Sequence, residues 1–237
     1  MAKAFPDHPN LVDGYAPLQM ECDAPNIVVE GLIPSDLNGT LYRNGPNPQF
    51  APRGDYHWFG GDGMIHAFFI KNGKISYKNR WARTINWTLE NEAGEALFSI
   101  LDPTKNDPRI VNVQTNGLAN TNIVWHGNKL LALVESHPPF EMDPSTLGSM
   151  GLWTYANKLQ GPMTAHPKID PETGEMLCFG YNADGAISPK MSYHIISKDG
   201  QLEKSEWFDA PYPAMVHDFV TTRDHVIFPI MPLTGSM

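Results

Sequence analysis

Two histidines, His166 in "TAHPK" and His217 in "MVHDF", are the residues whose type and spacing first suggest chemistry. Each stands where a stretch of apolar or small residues ends and a predicted strand begins, and 51 residues separate them. Neutral imidazole is the commonest protein ligand for metals. One blade of a β-propeller takes about 40 to 50 residues, so equivalent positions on neighbouring blades could bring both imidazoles to one ion.

Glu135 is the candidate partner for such a histidine. It ends the apolar run "KLLALVE", and an imidazole that binds a metal generally donates its other ring N–H to a carboxylate or carbonyl. The spacing leaves ordinary explanations open, namely a polar loop residue for each histidine and a charged strand end for Glu135. Three of the other histidines fit such explanations, since His126 and His225 lie beside turns and His8 lies in a polar N-terminal arm.

Turn residues along the whole chain indicate the elements that must position these side chains. The 21 prolines and 20 glycines separate short runs of β-branched and aromatic residues, which favour strands. Asn72-Gly73, Gly127-Asn128 and Asp199-Gly200 are hairpin signals between such runs. We therefore expect an all-β meander, either a propeller of diverged blades or a large sandwich. A helix is plausible only over 91–101 and 146–159, and glycines interrupt both.

Composition narrows the class of protein. The 237 residues, 41% of them hydrophobic, suffice for a sizeable core, so we expect a soluble globular protein. A net charge of −9 without a basic cluster argues against nucleic acid as a partner. The two cysteines, Cys22 and Cys178, suggest neither a disulfide framework nor a thiolate metal site. With no secretion signal and no membrane span expected, a cytoplasmic location fits.

The glycine-rich stretch "FGGDGM" at 59–64 is not expected to bind phosphate. No Gly-Lys-Ser/Thr sequence follows it and no βαβ pattern surrounds it. Its glycines are expected to allow a tight bend or close backbone packing.

Five stretches in order resemble the signatures of the carotenoid cleavage oxygenases, a family that includes the lignostilbene dioxygenases. The similarity runs through nearly all of the chain. The stretches are "GLIPSDLNGTLYRNGPNP" (31–48), "FGGDGMIHAF" (59–68), "ANTNIVWHGNKLLALVESHPPFEMDP" (119–144), "TAHPKIDPETGEM" (164–176) and "MVHDF" (215–219).

The resemblance implies a seven-bladed propeller with non-haem Fe²⁺ on its axis, bound by four histidines and open to O₂. His166 and His217 align with the first two ligands, and Glu135 with the first glutamate that hydrogen-bonds a ligand. The implied reaction is oxidative cleavage of a conjugated C=C bond into two carbonyl products, on an apolar conjugated small molecule. Some family members also make a peripheral membrane contact, which the sequence leaves open along with the oligomeric state.

The family's third and fourth histidines and its remaining glutamates would lie beyond residue 237. We therefore expect residues 1–237 to be part of one oxygenase propeller domain, a fragment that is unstable or inactive alone. An alternative is a propeller binding protein that has lost the chemistry. In lignostilbene-cleaving members a lysine precedes the glutamate, whereas Val134 stands there in this chain. That difference favours a carotenoid or apocarotenoid over a stilbene.

Overall fold

The computed structural model describes residues 3–100 and 102–234 of the chain. It divides into two compact units, Met1–Ile123 with Met142–Met150, and Val124–Glu141 with Gly151–Met237. The strands are β1 Asp23–Ala24, β2 Gly39–Pro46, β3 Gly63–Lys71, β4 Lys74–Trp81, β5 Asn122–His126, β6 Lys129–Leu133, β7 Phe140–Met142, β8 Ser149–Leu152, β9 Lys168–Ile169, β10 Met176–Tyr181, β11 Lys190–Ile196, β12 Leu202–Asp209, β13 Val220–Thr221 and β14 Val226–Ile227. Helix α1 spans Ile85–Ala93, and short 3₁₀ helices span Asp13–Tyr15, Trp58–Gly60, Pro103–Lys105 and Pro108–Ile110.

The first unit contains a four-stranded antiparallel sheet in the order β1-β4-β3-β2. Its central hairpin turns at Asn72 and Gly73, which both have positive φ, at 51° and 72°. That conformation matches the right-handed twist of the flanking strands and favours asparagine followed by glycine. The turn predicted from the dipeptide is therefore confirmed.

Helix α1 overlaps only the first residues of the predicted helical segment 91–101. The segment 91–101 was expected to be helical, but the helix begins earlier, because the Thr84 hydroxyl accepts a hydrogen bond from the Trp87 amide at 3.3 Å and caps it. It ends at Gly94, which adopts a left-handed conformation with φ of 70°. The remainder of that segment is not helical, and Leu101 lies outside the described residues.

The second helical prediction, over 146–159, is wrong. Strand β8 occupies its middle, and the residues from Tyr155 to Asn157 all have positive φ, between 52° and 64°. Three successive left-handed residues cannot continue an α-helix.

The glycines of "FGGDGM" allow close backbone packing, as predicted. A Cβ atom on Gly61 would lie 2.7 Å from the Asn47 amide nitrogen, and one on Gly63 would overlap the Ala119 carbonyl oxygen. Any larger side chain would force these segments of the first unit apart.

Three further sheets follow along the chain. Strands β5 to β8 form a sheet in sequence order, β12-β11-β10-β9 form another, and β13 pairs with β14. Gly127 and Asn128, with φ of 54° and 59°, turn between β5 and β6. Gly200, with φ of 80°, turns between β11 and β12. Both predicted hairpins are confirmed.

Two apolar clusters form the core of the second unit. The larger one includes Leu131, Leu133, Met163, Ala165 and Met176. The other, here called the aromatic cluster, has four buried members, and several half-buried rings pack against it. Its buried members are Phe179, Met191, Val216 and Phe219, and the rings include Tyr181, Tyr193, Phe208 and Phe228.

The predicted all-β class is confirmed by these sheets, and the number of propeller blades stays a prediction. Across residues 3–100 and 102–234, no helix has both the length and the apolar character needed to cross a membrane.

Candidate metal centre

His166 lies in the second unit, two residues before β9. The preceding residues, Met163 to Ala165, are almost fully buried in the larger apolar cluster. The Thr164 amide donates to the Phe179 carbonyl at 2.6 Å, and the His166 amide donates to the Thr164 hydroxyl at 3.1 Å. The backbone is thus fixed where the buried run ends, and the imidazole projects from it half-exposed.

His217 is held in a similar way before β13. Val216 and Phe219, on either side of it, are each only 2% exposed and belong to the aromatic cluster. The side chain of His217 itself is 51% exposed. Burying such neighbours contributes about 1.5–3 kcal/mol per side chain, so the backbone that carries the imidazole is anchored while the ring remains accessible.

The two imidazoles converge. Their Nε2 atoms are 3.0 Å apart, and their ring centroids are 4.6 Å apart. A divalent first-row metal such as Zn²⁺ binds imidazole nitrogen at about 2.0–2.1 Å, so two nitrogens at a right angle around one ion would be about 3 Å apart. The spacing between the Nε2 atoms therefore fits two adjacent ligands of a single ion.

Glu135 follows the end of β6 and completes the arrangement. One carboxylate oxygen, Oε2, is 2.7 Å from Nδ1 of His217. The other oxygen, Oε1, accepts a hydrogen bond from the Tyr181 hydroxyl at 2.9 Å. If Nδ1 of His217 keeps its proton for Glu135, Nε2 is left with a lone pair for a metal.

The surroundings of His166 favour its neutral imidazole. Burial first, and then the neighbouring His217, lower the pKa of His166 below its ordinary value. Beside them, Lys168 and Asp218 form an ion pair of 2.8 Å that joins the two histidine segments. Burial alone would raise the pKa of Asp218, but the hydrogen bonds from Lys168 and the Phe219 amide lower it.

The three residues predicted from the sequence thus lie together, while their role as an iron site stays a prediction. Within residues 3–100 and 102–234, no group of three or more histidine, cysteine, aspartate or glutamate side chains is arranged to hold a metal. Two imidazoles with a glutamate behind one of them fit part of a histidine-rich iron site. Further ligands would have to come from elsewhere.

A pocket of about 510 Å³ opens beside Glu135 in the second unit. Small and apolar residues provide much of its wall, including Pro138, Pro162 and Ala183, and Tyr181 also contributes. The volume lies in the range that takes a drug-sized ligand, and such walls favour an apolar molecule.

Sequence reasoning missed Tyr181 and the Lys168–Asp218 ion pair. Tyr181 ends "EMLCFGY", a run recognised only as a strand, and it meets Glu135 across 46 residues of chain. Lys168 and Asp218 lie close in sequence to His166 and His217, respectively. Their opposite charges were the one feature of the sequence that could have predicted the ion pair. Outside this site, His126 hydrogen-bonds the Gly174 carbonyl at 3.0 Å. This contact agrees with the prediction that His126 is a structural residue beside a turn.

Comparisons with known proteins agree with the motifs. The sequence profile of the family described as "Retinal pigment epithelial membrane protein" matches residues 15–237. Isoeugenol monooxygenase of Pseudomonas nitroreducens is 40% identical over 238 residues, which cover 100% of this chain and 50% of that enzyme. Carotenoid cleavage oxygenase 1 of Neurospora crassa is 40% identical over 228 residues, covering 94% of this chain and 43% of that protein.

The crystal structure of Pseudomonas brassicacearum lignostilbene dioxygenase matches with a TM-score of 0.94 and 37% identity. The match covers 99% of this chain and 49% of that one. The chain thus spans about half the length of the relatives it matches. It belongs to the retinal pigment epithelial membrane protein family, that of the carotenoid cleavage oxygenases and lignostilbene dioxygenases.

Proposed function

We propose that this chain is the N-terminal part of an Fe²⁺-dependent dioxygenase that cleaves a conjugated C=C bond into two carbonyl products. The observation that carries the proposal is the 3.0 Å approach of the His166 and His217 Nε2 atoms, with Glu135 on the far nitrogen of His217. A hydrogen bond between the two rings would also give this distance, but two half-exposed imidazoles, 51 residues apart, that point their Nε2 atoms at each other also suit a shared metal ion. The names of the relatives support oxygenase chemistry.

The residues of this chain would hold and tune the metal. Iron, when bound, would supply the activation of O₂. His166 is biased toward the neutral form that can act as a ligand. Glu135 would keep the Nδ1 proton on His217 and raise the basicity of that imidazole. Four neutral imidazoles, as the family resemblance implies, would leave the ion its full dipositive charge, which nearby carboxylates such as Glu135 would partly offset.

The pocket beside Glu135 would bind the substrate. The prolines, glycines and alanines in its wall would contact a conjugated hydrocarbon. The protein would orient one double bond toward the metal, while iron and O₂ carry out the oxidation.

Two substrate classes have separate support, and we place a phenolic aryl alkene first, which reverses the order that Val134 alone suggested. The lignostilbene dioxygenase structure matches with a TM-score of 0.94, and isoeugenol monooxygenase matches along the entire chain. A carotenoid or apocarotenoid is the second candidate, because Val134 offers no donor or positive charge to a phenol oxygen and Carotenoid cleavage oxygenase 1 is 40% identical. The site geometry is compatible with both.

The test is anaerobic loading of the full-length protein with Fe²⁺, followed by ¹⁸O₂ and either a hydroxystilbene or an apocarotenal. The proposal expects two carbonyl products from one of these, each with one oxygen atom from ¹⁸O₂. A folded, iron-loaded protein that cleaves neither compound would contradict the proposed reaction. Protein that folds but binds no iron would instead support the binding-protein alternative.

A further inference from the structure

We propose that Tyr181 is a positioning residue for the metal centre, orienting Glu135 and, through Glu135, the imidazole of His217. The proposal deepens the proposed function and rests on it, since it takes His217 as a metal ligand. The hydrogen bonds that suggest this role of Tyr181 do not depend on the choice of substrate.

The contacts form a continuous chain. The Tyr181 hydroxyl donates to Oε1 of Glu135 at 2.9 Å, and Oε2 of the same carboxylate is 2.7 Å from Nδ1 of His217. The last torsion of a glutamate side chain has a broad energy profile, so one hydrogen bond would leave the carboxylate plane poorly fixed. With a partner on each oxygen, rotation in either direction weakens a hydrogen bond.

Tyr181 can act as a fixed point because its own position is well determined. It is the last residue of β10 and pairs with Met191 of β11. Its ring packs against the aromatic cluster, whose members Val216 and Phe219 flank His217. The two ends of the hydrogen-bonded chain therefore rest on the same packed cluster, which sets the distance between them.

The direction of the hydrogen bond follows from the chemistry of the pair. Burial first, and then the negative charge of Glu135, raise the pKa of Tyr181 above its ordinary value. The phenol therefore stays protonated and donates, and a carboxylate is the stronger kind of acceptor for it. A donor on Oε1 leaves Oε2 for the Nδ1–H group of His217.

The test is Tyr181→Phe in the full-length protein, with binding of Co²⁺ in place of iron as the readout. The substitution keeps the packed ring and removes only the hydroxyl. We expect about 10-fold weaker Co²⁺ binding, the low end of the loss seen when groups behind metal ligands are changed, and a shifted visible spectrum of bound Co²⁺. The effect should disappear in a Glu135→Ala background, because Tyr181 acts through that carboxylate.

Tyr193→Phe is the matched control. Tyr193 packs against the same aromatic cluster from β11 and is half-buried, so its hydroxyl can be removed without touching Glu135. The control should bind Co²⁺ like the wild type and give the same spectrum. Thermal unfolding of each metal-free variant separates a loss of stability from a loss of metal binding.

The outcomes separate the two proposals. If the wild type binds no Co²⁺, the proposed function fails and the role of Tyr181 fails with it. If the wild type binds Co²⁺ and Tyr181→Phe matches it in affinity and spectrum, only the role of Tyr181 is overturned. Should Tyr181→Phe not fold, Glu135→Asp keeps the proposal open to refutation: the shorter carboxylate cannot bridge both partners, so unchanged Co²⁺ binding in that variant would overturn it.

Discussion

Replacing Glu135 by glutamine should weaken metal binding strongly, although the side chain barely changes in size. The carboxylate now receives two hydrogen bonds, from Tyr181 at 2.9 Å and from His217 at 2.7 Å. An amide has only one acceptor oxygen, and its NH₂ group must face the other partner. If the NH₂ group faces His217, that ring must accept at Nδ1, which moves its proton to Nε2 and blocks the metal position.

If the amide oxygen faces His217 instead, the hydrogen bond loses its charge assistance and Tyr181 loses its acceptor. Either orientation should weaken binding by about 10- to 100-fold, which corresponds to about 1.4 to 2.8 kcal/mol. Anaerobic titration of the full-length protein with Co²⁺ measures the change. Glu203→Gln makes the same change of charge at an exposed position of β12 and should bind like the wild type. Equal affinity for Glu135→Gln and the wild type would refute this reasoning.

Three further predictions concern stability and substrate. Burial and then the charge of Glu90 raise the pKa of Asp62 to about 8. Because the pKa is higher in the folded than in the unfolded protein, the contribution of protonated Asp62 to stability is full below about pH 4. That contribution is lost as the pH rises toward about 8. In Asp62→Asn the unfolding free energy should therefore fall less between about pH 4 and about pH 8 than in the wild type, by at most about 5 kcal/mol. Denaturant unfolding at several pH values measures this, and the same dependence on pH in both proteins would contradict the prediction. Phe219→Ala should cost about 3–5 kcal/mol in the same assay, because the side chain is fully buried against Phe179 and Val216, and a loss below 1 kcal/mol would count against the packing described. Val134→Lys should raise kcat/KM for a hydroxystilbene at least about 10-fold, by adding a cationic donor for the phenol, and no gain over Val134→Met would show that this position does not contact the phenol.

The hairpins were predictable because their signals are local. Asn72-Gly73 and Gly127-Asn128 favour the positive φ angles that the structure shows at all four residues. The helix bounds were harder to predict, since the start of α1 depends on one cap, Thr84. Glycines cannot by themselves distinguish a broken helix from the strand and left-handed turns found over 146–159.

The candidate site was predictable only in part. Family motifs pointed to His166, His217 and Glu135, whose neighbouring sequences are distinctive. They gave no sign of Tyr181, because its contact with Glu135 depends on how β10 and the end of β6 pack in three dimensions. A single sequence contains no record of such a long-range hydrogen bond.

The central claim is that His166 and His217 hold one iron ion together. Its most direct test is the iron content of the full-length protein after anaerobic loading and removal of excess metal, compared with His166→Ala and His217→Ala. We predict about one Fe²⁺ per wild-type chain and a large loss in each variant, with all three proteins folded by circular dichroism. Iron retained at the wild-type level in both variants, or absent from a folded wild type, would contradict the claim.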